Sequence, residues 1–351
     1  MTSPGQHNAI TDVPGVLVGH HERIGSGWAA GTTVVLVPDG AVGGVDTRGG
    51  APGTRETDLL APENLVRQAH GVCLSGGSAY GLAAADGVMR WLGERRHGFR
   101  VGVEPHEVVP IVPGAVIFDL PRSAWGNRPD AEFGYLACAA ASSGPVVQGC
   151  VGAGAGAKAG SLKGGIGTAS VLLEGGVTVG ALAVVNAHGE SVDPTTGRPW
   201  AADHELAGEY GVRSWPDRAA DLRADDDASL NTTIGVIAAD VALTKAECRR
   251  LAMSAQDGLA RAVRPAHSMF DGDTVFALAT GARELPSAPV GGRDTNTVEG
   301  PFGVPARAAV VDRLCAAAAS TFARAVVRGT LSAETLAGVP AYRDVWPGAL
   351  G

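Results

Sequence analysis

Asn231-Thr232-Thr233-Ile234-Gly235-Val236-Ile237-Ala238-Ala239-Asp240 is the stretch from which the architecture of this chain can be inferred. Its β-branched and small apolar residues are typical of a buried strand, and the polar, acidic residues 223–230 lead into it. If the bond before Thr232 were cut, that residue would carry a hydroxyl and a free α-amine, whose ordinary pKa of about 8 suits a general base. The alternative is a turn at Asn231 followed by an ordinary strand.

Composition and charge narrow the class of protein. The chain has 351 residues, 45% hydrophobic and 18% charged, which is typical of a globular protein with a large core. A net charge of −8 without a basic stripe argues against a nucleic-acid partner. The polar N-terminus and the lack of a membrane-length apolar run lead us to expect a cytoplasmic protein. The five cysteines form no C-x-x-C pair, so we expect buried free thiols.

Strand and helix patterns alternate irregularly along the chain. Apolar strands are predicted within residues 13–20, 31–37, 177–185 and 275–280. The second of these is followed by a predicted Pro-Asp-Gly turn. Helices are predicted within residues 131–141, 244–263 (with Thr244 as N-cap) and 305–328. Residues 193–228 are polar and form the longest predicted surface excursion. This order suits an α+β layered sandwich better than a regular doubly wound sheet.

A glycine-rich passage follows another apolar strand at Ser75-Gly76-Gly77-Ser78 and leads into a helix predicted to reach about Arg95. Backbone N–H groups at such a helix start can hold an anion or a developing oxyanion, and Ser78 is the expected N-cap. A serine nucleophile here is a competing idea, but the G-x-S-x-G elbow pattern is absent. The glycine-rich residues 151–158 match neither a dinucleotide fingerprint nor a phosphate loop, so no nucleotide cofactor is expected.

Four polar residues in predicted turns or at strand ends are candidates for a functional site. Asn186 ends an apolar strand, where its amide can donate to an oxyanion. Lys163, beside two glycines, can reach into a pocket or remain solvated in a turn. Asp271 and Asp273 stand at a strand entry, where they can bind a metal, orient an amine or form a plain Asp-Gly turn.

Six motifs together resemble the L-aminopeptidase/D-alanine esterase (β-peptidyl aminopeptidase) family, which includes nylon-oligomer hydrolases. In the family's order they are Asp46-Thr47-Arg48-Gly49-Gly50-Ala51-Pro52-Gly53-Thr54-Arg55-Glu56-Thr57-Asp58, Leu74-Ser75-Gly76-Gly77-Ser78-Ala79-Tyr80-Gly81-Leu82, Lys163-Gly164-Gly165-Ile166-Gly167-Thr168-Ala169-Ser170, Val185-Asn186, Asn231-Thr232-Thr233-Ile234-Gly235-Val236-Ile237-Ala238 and Asp271-Gly272-Asp273-Thr274-Val275-Phe276. The resemblance implies a four-layer αββα sandwich of the aminopeptidase/ornithine acetyltransferase type. It also implies one domain over residues 1–351 that cuts itself into chains 1–231 and 232–351.

The same resemblance implies roles for individual residues. Thr232 matches the N-terminal nucleophile, released by cleavage after Asn231. Asn186 matches the oxyanion donor, and Lys163 matches an active-site lysine. Asp271 and Asp273 match an Asp pair near the nucleophile of the Thr-type members, where other members carry Ser and Glu. We expect Lys163 to donate to the nucleophile and keep its amine neutral, and the Asp pair to orient the amine or bind a substrate's amino group. A tyrosine of some members falls near Phe118, which has no hydroxyl.

We therefore expect an autoproteolytically activated amide or peptide hydrolase that works through an acyl-enzyme. Its expected substrates are small peptides, amino-acid amides or esters, without a metal or other cofactor, and its expected assembly is a homotetramer of αβ units. Two alternatives stay open: an acyltransferase of the ornithine acetyltransferase type, and an uncleaved, non-catalytic binding or assembly protein.

Overall fold

A computed structural model of the chain describes residues 2–217, 219–220, 230–285 and 306–351. The strands are β1 Leu17–Gly25, β2 Trp28–Thr47, β3 Thr54–Arg55, β4 Gln68–Ser75, β5 Phe99–Arg100, β6 Val108–Val109, β7 Gly114–Val116, β8 Lys158–Ala159, β9 Leu162–Lys163, β10 Ile166–Leu172, β11 Thr178–Val184, β12 Ile234–Val241 and β13 Thr274–Arg283. The helices are α1 Ala84–Glu94, α2 Ala131–Ala139, α3 Lys245–Ala262, α4 Ala306–Leu331 and α5 Tyr342–Val345. The acidic segment before Leu230 and the predicted helix start at Pro305 lie outside the described residues.

A nine-stranded sheet carries the fold within the described residues, in the order β10-β11-β12-β13-β2-β4-β7-β3, with β1 paired to β2. The first half of β2 pairs with β1 and β4, and its last residues pair with β13. The register shifts between Leu36 and Ala41, and Gly40 within that interval has a φ of 87°. The Pro-Asp-Gly turn predicted there is therefore wrong: the segment is a bulge in one continuous strand, which bends the sheet over itself.

Alternating side chains along the strands divide the core into three apolar layers. The middle layer joins Val35 of β2 to Val236 of β12, so it lies between the two halves of the sheet. One outer layer joins Val34 of β2 to α1 and α2, and the other joins Ile237 of β12 to α3 and α4. Successive residues of one strand thus serve opposite faces, and helices cover both outer faces. The predicted four-layer αββα sandwich is confirmed.

Helix α3 shows how the local sequence determines where a helix begins and which of its faces is buried. Thr244 is its N-cap, as predicted: the side chain accepts from the Glu247 N–H, and the Glu247 carboxylate accepts from the Thr244 N–H at 2.8 Å. Buried apolar residues recur along one face of the helix and pack on the sheet. None of the described helices combines the length and apolarity needed to cross a bilayer.

Four adjacent strands bring the predicted site residues to one edge of the sheet. In the antiparallel pair β11–β12, Val184 lies opposite Ile234, and in the parallel pair β12–β13, Ile234 lies opposite Thr274. Strand β10 begins with Ile166 opposite Val184. The residues just outside these strand ends therefore lie side by side: 163–165, 185–186, 231–233 and 271–273.

Candidate active site

Thr232 lies at the centre of this edge, two residues before β12 begins. It is buried, and its hydroxyl donates to the carbonyl oxygen of Asn231, the residue before it. The amide of Gly272 donates to the same carbonyl oxygen at 3.2 Å and to Thr232 Oγ1 at 3.2 Å. The hydroxyl thus lies against the preceding carbonyl, and an N–H group already stands where attack on that carbonyl would create an oxyanion.

Asn186 is the neighbour of Thr232 on the β11 side. Its backbone carbonyl accepts the Thr232 N–H at 2.6 Å. Its side-chain Oδ1 accepts the Lys158 N–H at 3.0 Å, while Nδ2 makes a long bond of 3.5 Å to the carbonyl of Phe118. Because an amide NH2 group has two hydrogens, Nδ2 keeps one that can be donated to a ligand, as an oxyanion donor requires.

Lys163 is buried beside the same edge, so it is not the solvated turn lysine considered as an alternative. Its Nζ donates to the carbonyls of Gly154 at 2.9 Å and Gly164 at 2.8 Å. Burial lowers the pKa of Lys163 to about 8, and the adjacent Cys150 thiol and the charge of Asp119 oppose this. Within the described chain no hydrogen bond links Lys163 to Thr232, so the predicted donation is not formed in the uncut chain.

Asp271 and Asp273 are both buried and hold the backbone of this edge. Asp271 accepts the His188 N–H at 3.0 Å. Asp273 accepts the Thr233 N–H at 2.8 Å and lies 2.8 Å from Nδ1 of His267. Burial raises the pKa of Asp273, and its hydrogen bond with His267 opposes the rise. The pair therefore does more than form an Asp-Gly turn, because each carboxylate fixes a residue next to the strand ends.

The polar loop after β2 holds the backbone of Asp271 and Asp273 through hydrogen bonds. The amide of Arg48 donates to the carbonyl of Asp273 at 3.0 Å, and the amide of Ala51 donates to that of Asp271 at 2.8 Å. A Cβ on Gly49 would lie 2.1 Å from the Asp271 carbonyl oxygen, so only glycine permits this approach. In the described residues no group of three or more His, Cys, Asp or Glu side chains is arranged to hold a metal ion.

The Ser75-Gly76-Gly77-Ser78 loop uses its N–H groups within the protein. The amides of Gly76, Gly77 and Ser78 donate at 2.9, 2.6 and 3.0 Å, respectively, to Gly31 O, the Asp119 carboxylate and Ile117 O. These three N–H groups already have acceptors within the protein, which argues against the oxyanion role predicted for the loop. Ser75 is buried with its Oγ 2.8 Å from Thr32 Oγ1, which does not fit a nucleophile. The N-cap prediction is wrong, because Gly77 holds that position and Ser78 has a φ of 53°.

Sequence reasoning missed several groups at this edge. They are the Gly272 amide, His267, Gln256 and Asp119. Gln256 of α3 donates from Nε2 to the carbonyls of Asp46 at 3.0 Å and Asp273 at 3.1 Å, which ties the helix to the site. The Asp271-Gly272-Asp273 motif could have pointed to the Gly272 amide, whereas no local pattern marks Gln256.

Comparison with known proteins finds similar sequences along most of the chain. The family model described as Peptidase family S58 matches residues 8–343. An uncharacterized aminopeptidase of Mycobacterium tuberculosis is 56% identical over 361 aligned residues, which cover 98% of this chain and 99% of that protein. A 6-aminohexanoate-oligomer endohydrolase of Kocuria sp. is 32% identical over 300 residues, which cover 82% of this chain and 79% of that protein.

Two solved structures are similar along most of the chain. A Burkholderia sp. β-aminopeptidase matches with a TM-score of 0.70 and 26% identity, covering 98% of this chain and 92% of that one. The L-aminopeptidase D-Ala-esterase/amidase of Ochrobactrum anthropi, described as a variant of the Ntn hydrolase fold, matches with a TM-score of 0.68 and 23% identity, covering 95% and 88%. At that identity the second match speaks for the fold alone.

Proposed function

The chain belongs to peptidase family S58 and is a hydrolase of peptide or amide bonds; we propose that it is autoprocessed and that Thr232 is its N-terminal nucleophile, released by cleavage of the Asn231–Thr232 bond. One observation carries the proposal. The Thr232 hydroxyl is hydrogen-bonded to the Asn231 carbonyl oxygen, and the Gly272 amide donates to both oxygens. That arrangement places a nucleophile, an acceptor carbonyl and an oxyanion donor together in the uncut chain.

Maturation uses this arrangement directly. Thr232 Oγ1 attacks the carbonyl carbon of Asn231, and the Gly272 N–H stabilises the oxyanion, an effect of about 3 kcal/mol for one donor. The C–N bond then breaks, and the hydroxyl proton passes to the leaving nitrogen. Asn231 is left as an ester on Thr232 Oγ1. That step frees the Thr232 α-amine, and water then hydrolyses the ester, which frees the Asn231 carboxylate and the Thr232 hydroxyl.

Turnover repeats the attack on a substrate carbonyl. The α-amine of Thr232 accepts the proton of its own hydroxyl and returns it to the leaving amine, so that an acyl-enzyme forms and water then hydrolyses it. The Asn186 carbonyl, which accepts the Thr232 N–H at 2.6 Å in the uncut chain, orients that amine, and Asn186 Nδ2 donates to the substrate oxyanion. Lys163 acts through its positive charge, which favours the neutral form of the amine and stabilises the negative charge that develops on Thr232 Oγ1 during attack.

The acidic pair positions the strand ends in this proposal. Asp273 holds the residue after the nucleophile through the Thr233 N–H, and Asp271 holds His188, two residues after Asn186. Both carboxylates are buried behind the backbone that they bind. We therefore assign them to the geometry of Thr232 and Asn186.

The relatives guide the choice of substrates. Their names, aminopeptidase and 6-aminohexanoate-oligomer endohydrolase, support small peptides, amino-acid amides or esters, and linear ω-amino oligomers as candidates. A panel of aminoacyl amides, β-aminoacyl amides and 6-aminohexanoate oligomers would rank these classes by kcat/KM. Acyl transfer and an uncleaved binding protein are not favoured, because the named relatives are hydrolases. The homotetramer of αβ units also remains a proposal, which light scattering would check.

Adjacent threonines provide a matched pair of variants. Thr232→Ala should leave one uncut chain and lower amide hydrolysis about 1,000-fold or more, because both steps use the same oxygen. Thr233→Ala removes the same group from the next residue, whose Oγ1 is buried without a hydrogen-bond partner among the described residues. That control should still cut and should hydrolyse amides within a few-fold of the wild-type rate. A Thr232→Ala protein that cuts itself or hydrolyses amides normally would contradict the proposal.

A further inference from the structure

Asp119 is a buried carboxylate that the proposed mechanism leaves unused. The residue is only 2% exposed, its Oδ1 accepts the Gly77 N–H at 2.6 Å, and its Oδ2 has no hydrogen-bond partner among the described residues. Burial of a carboxylate with one unpartnered oxygen is costly unless another charge compensates it. Groups around Asp119 must therefore compensate for this energetic cost.

The segment that carries Asp119 runs against the proposed oxyanion donor. Phe118, the residue before it, accepts from Asn186 Nδ2 at 3.5 Å through its carbonyl. The carboxylate is thus connected by one peptide unit to the group that Asn186 touches. Asp119 therefore directly follows the residue whose carbonyl contacts the proposed oxyanion donor.

Two glycine-rich stretches enclose the Asp119 carboxylate. A Cβ on Gly76 would lie 2.2 Å from Oδ2, and its three nearest atoms all belong to Asp119. A Cβ on Gly156 would lie 2.6 Å from Oδ2, and also 2.4 Å from the carbonyl oxygen of Ala29. Neither glycine has a left-handed backbone, so space rather than conformation excludes a side chain there. The two glycine-rich passages, one around Gly76 and one around Gly156, therefore both make room for this carboxylate.

Asp119 and Lys163 lie against the same short glycine-rich segment, residues 154–156: Lys163 Nζ donates to the Gly154 carbonyl at 2.9 Å, and a Cβ on Gly156 would lie 2.6 Å from Asp119 Oδ2. Each therefore influences the charge of the other. Burial raises the pKa of Asp119 to about 7; the Gly77 amide and then the positive charges of Lys163 and Arg122 oppose the rise. Burial lowers the pKa of Lys163 to about 8, which Cys150 and Asp119 oppose and Arg122 reinforces. The two buried groups thus titrate in neighbouring pH ranges, each favouring the charged form of the other.

We propose that Asp119 is a positioning residue of this active site: its carboxylate, enclosed by Gly76 and Gly156, is the counter-charge that keeps Lys163 protonated at the edge carrying Thr232. The inference rests on the proposed function, because Lys163 acts there through its charge. Without the carboxylate, Lys163 loses stabilisation of its ammonium form and releases its proton at a lower pH. At high pH the amine is neutral in any case, so activity falls there because Lys163 no longer stabilises the charge developing on Thr232 Oγ1, and the basic limb of the activity profile moves to lower pH.

The test is the pH dependence of kcat/KM for amide hydrolysis by the wild type, Asp119→Asn and Asp240→Asn. Asp240 is the matched control, since it is another fully buried aspartate with a raised pKa but lies near the far end of β12, beside Arg283. The basic limb of Asp119→Asn should move down by about half a pH unit or more, whereas that of Asp240→Asn should stay in place. An Asp119→Asn enzyme with the wild-type limb would overturn the inference.

A second variant keeps the test decisive if Asp119→Asn does not fold. Gly76→Ala leaves the charge in the protein but displaces the carboxylate, because the new Cβ meets only Asp119 atoms among its nearest neighbours. It should shift the basic limb in the same direction by a smaller amount, and an unmoved limb would count against the inference. Thr232→Ala in the same assay separates the two claims. Hydrolysis by Thr232→Ala defeats the proposed function, whereas an inactive Thr232→Ala beside unshifted Asp119→Asn and Gly76→Ala profiles defeats only the role of Asp119.

Discussion

The position of the Thr232 hydroxyl depends on the glycine opposite it. A Cβ on Gly272 would lie 2.9 Å from Thr232 Oγ1 and 2.6 Å from the Ala51 carbonyl oxygen. Gly272→Ala should therefore move the hydroxyl off the Asn231 carbonyl and slow self-cleavage about tenfold or more, which corresponds to a barrier increase of about 1.4 kcal/mol. A time course of intact mass measures the rate.

Gly348→Ala is the control for this substitution, because a Cβ there meets nothing within 4 Å. It should cut at the wild-type rate. A Gly272→Ala chain that also cuts at that rate would show that the hydroxyl tolerates displacement, and the geometric argument for Thr232 would lose its basis.

His267 tunes the carboxylate that holds the Thr233 amide. Its hydrogen bond opposes the burial that raises the pKa of Asp273, so His267→Ala should raise that pKa further. Because Asp273 accepts the Thr233 N–H best when ionised, activity should then be lost at a higher pH as the solution is acidified. The pH profile of kcat/KM measures this shift of the acid limb. His106→Ala, at an exposed histidine, should leave the limb in place, and an unmoved limb in His267→Ala would refute the coupling.

At the scale of elements, the N-terminus of α3 and Gln256 in its second half have different roles. The Thr244 cap lies at the end that follows β12, whereas Gln256 binds the carbonyls of Asp46 and Asp273 at the site edge. Thr244→Ala should lower the free energy of unfolding by about 1 kcal/mol and leave kcat/KM unchanged. Gln256→Leu should lower both, because it removes two hydrogen bonds that fix the entry of β13.

Urea denaturation and steady-state kinetics on the same preparations distinguish these outcomes. Each of the two variants serves as the control for the other, since both lie on one helix. If Gln256→Leu lost stability while keeping full kcat/KM, the link between α3 and the acidic pair would have no role in catalysis.

Sequence patterns predicted individual helices and strands better than the contacts and pairings between them. The capping box at Thr244 and the apolar run from Ile234 are local signals, and both elements were predicted from them. The Pro38-Asp39-Gly40 signal was misleading, because whether it turns the chain or bulges a strand depends on β4 and β13, which pair from far along the sequence. The roles of Gln256 and Asp119 depend on long-range register in the same way, so no sequence window around these residues reveals them.

At the scale of the whole molecule, the proposed cut leaves two chains that share one core. The pairings β11–β12 and β2–β13 both cross the boundary between residues 1–231 and 232–351. Glu209 and Arg324 also cross it as an ion pair with side chains 4% and 1% exposed. The cut chains should therefore stay together in a 1:1 ratio, which native mass spectrometry measures.

Arg324→Met tests the contribution of this ion pair. It leaves Glu209 buried without its main partner, which should cost about 3–5 kcal/mol of unfolding free energy in the cut protein. Arg313→Met, at an exposed arginine of the same helix, is the control and should change stability little. Equal stabilities for the two variants, or chains that separate under native conditions, would contradict this description of the interface.

The N-terminal residue of the smaller chain in purified wild-type protein is the most direct test of cleavage before Thr232. Intact mass and N-terminal sequencing should give two chains, residues 1–231 and 232–351, the second beginning with an unmodified Thr232. An active enzyme made of one unbroken chain, or a second chain beginning at any other residue, would contradict the assignment of Thr232 as the nucleophile.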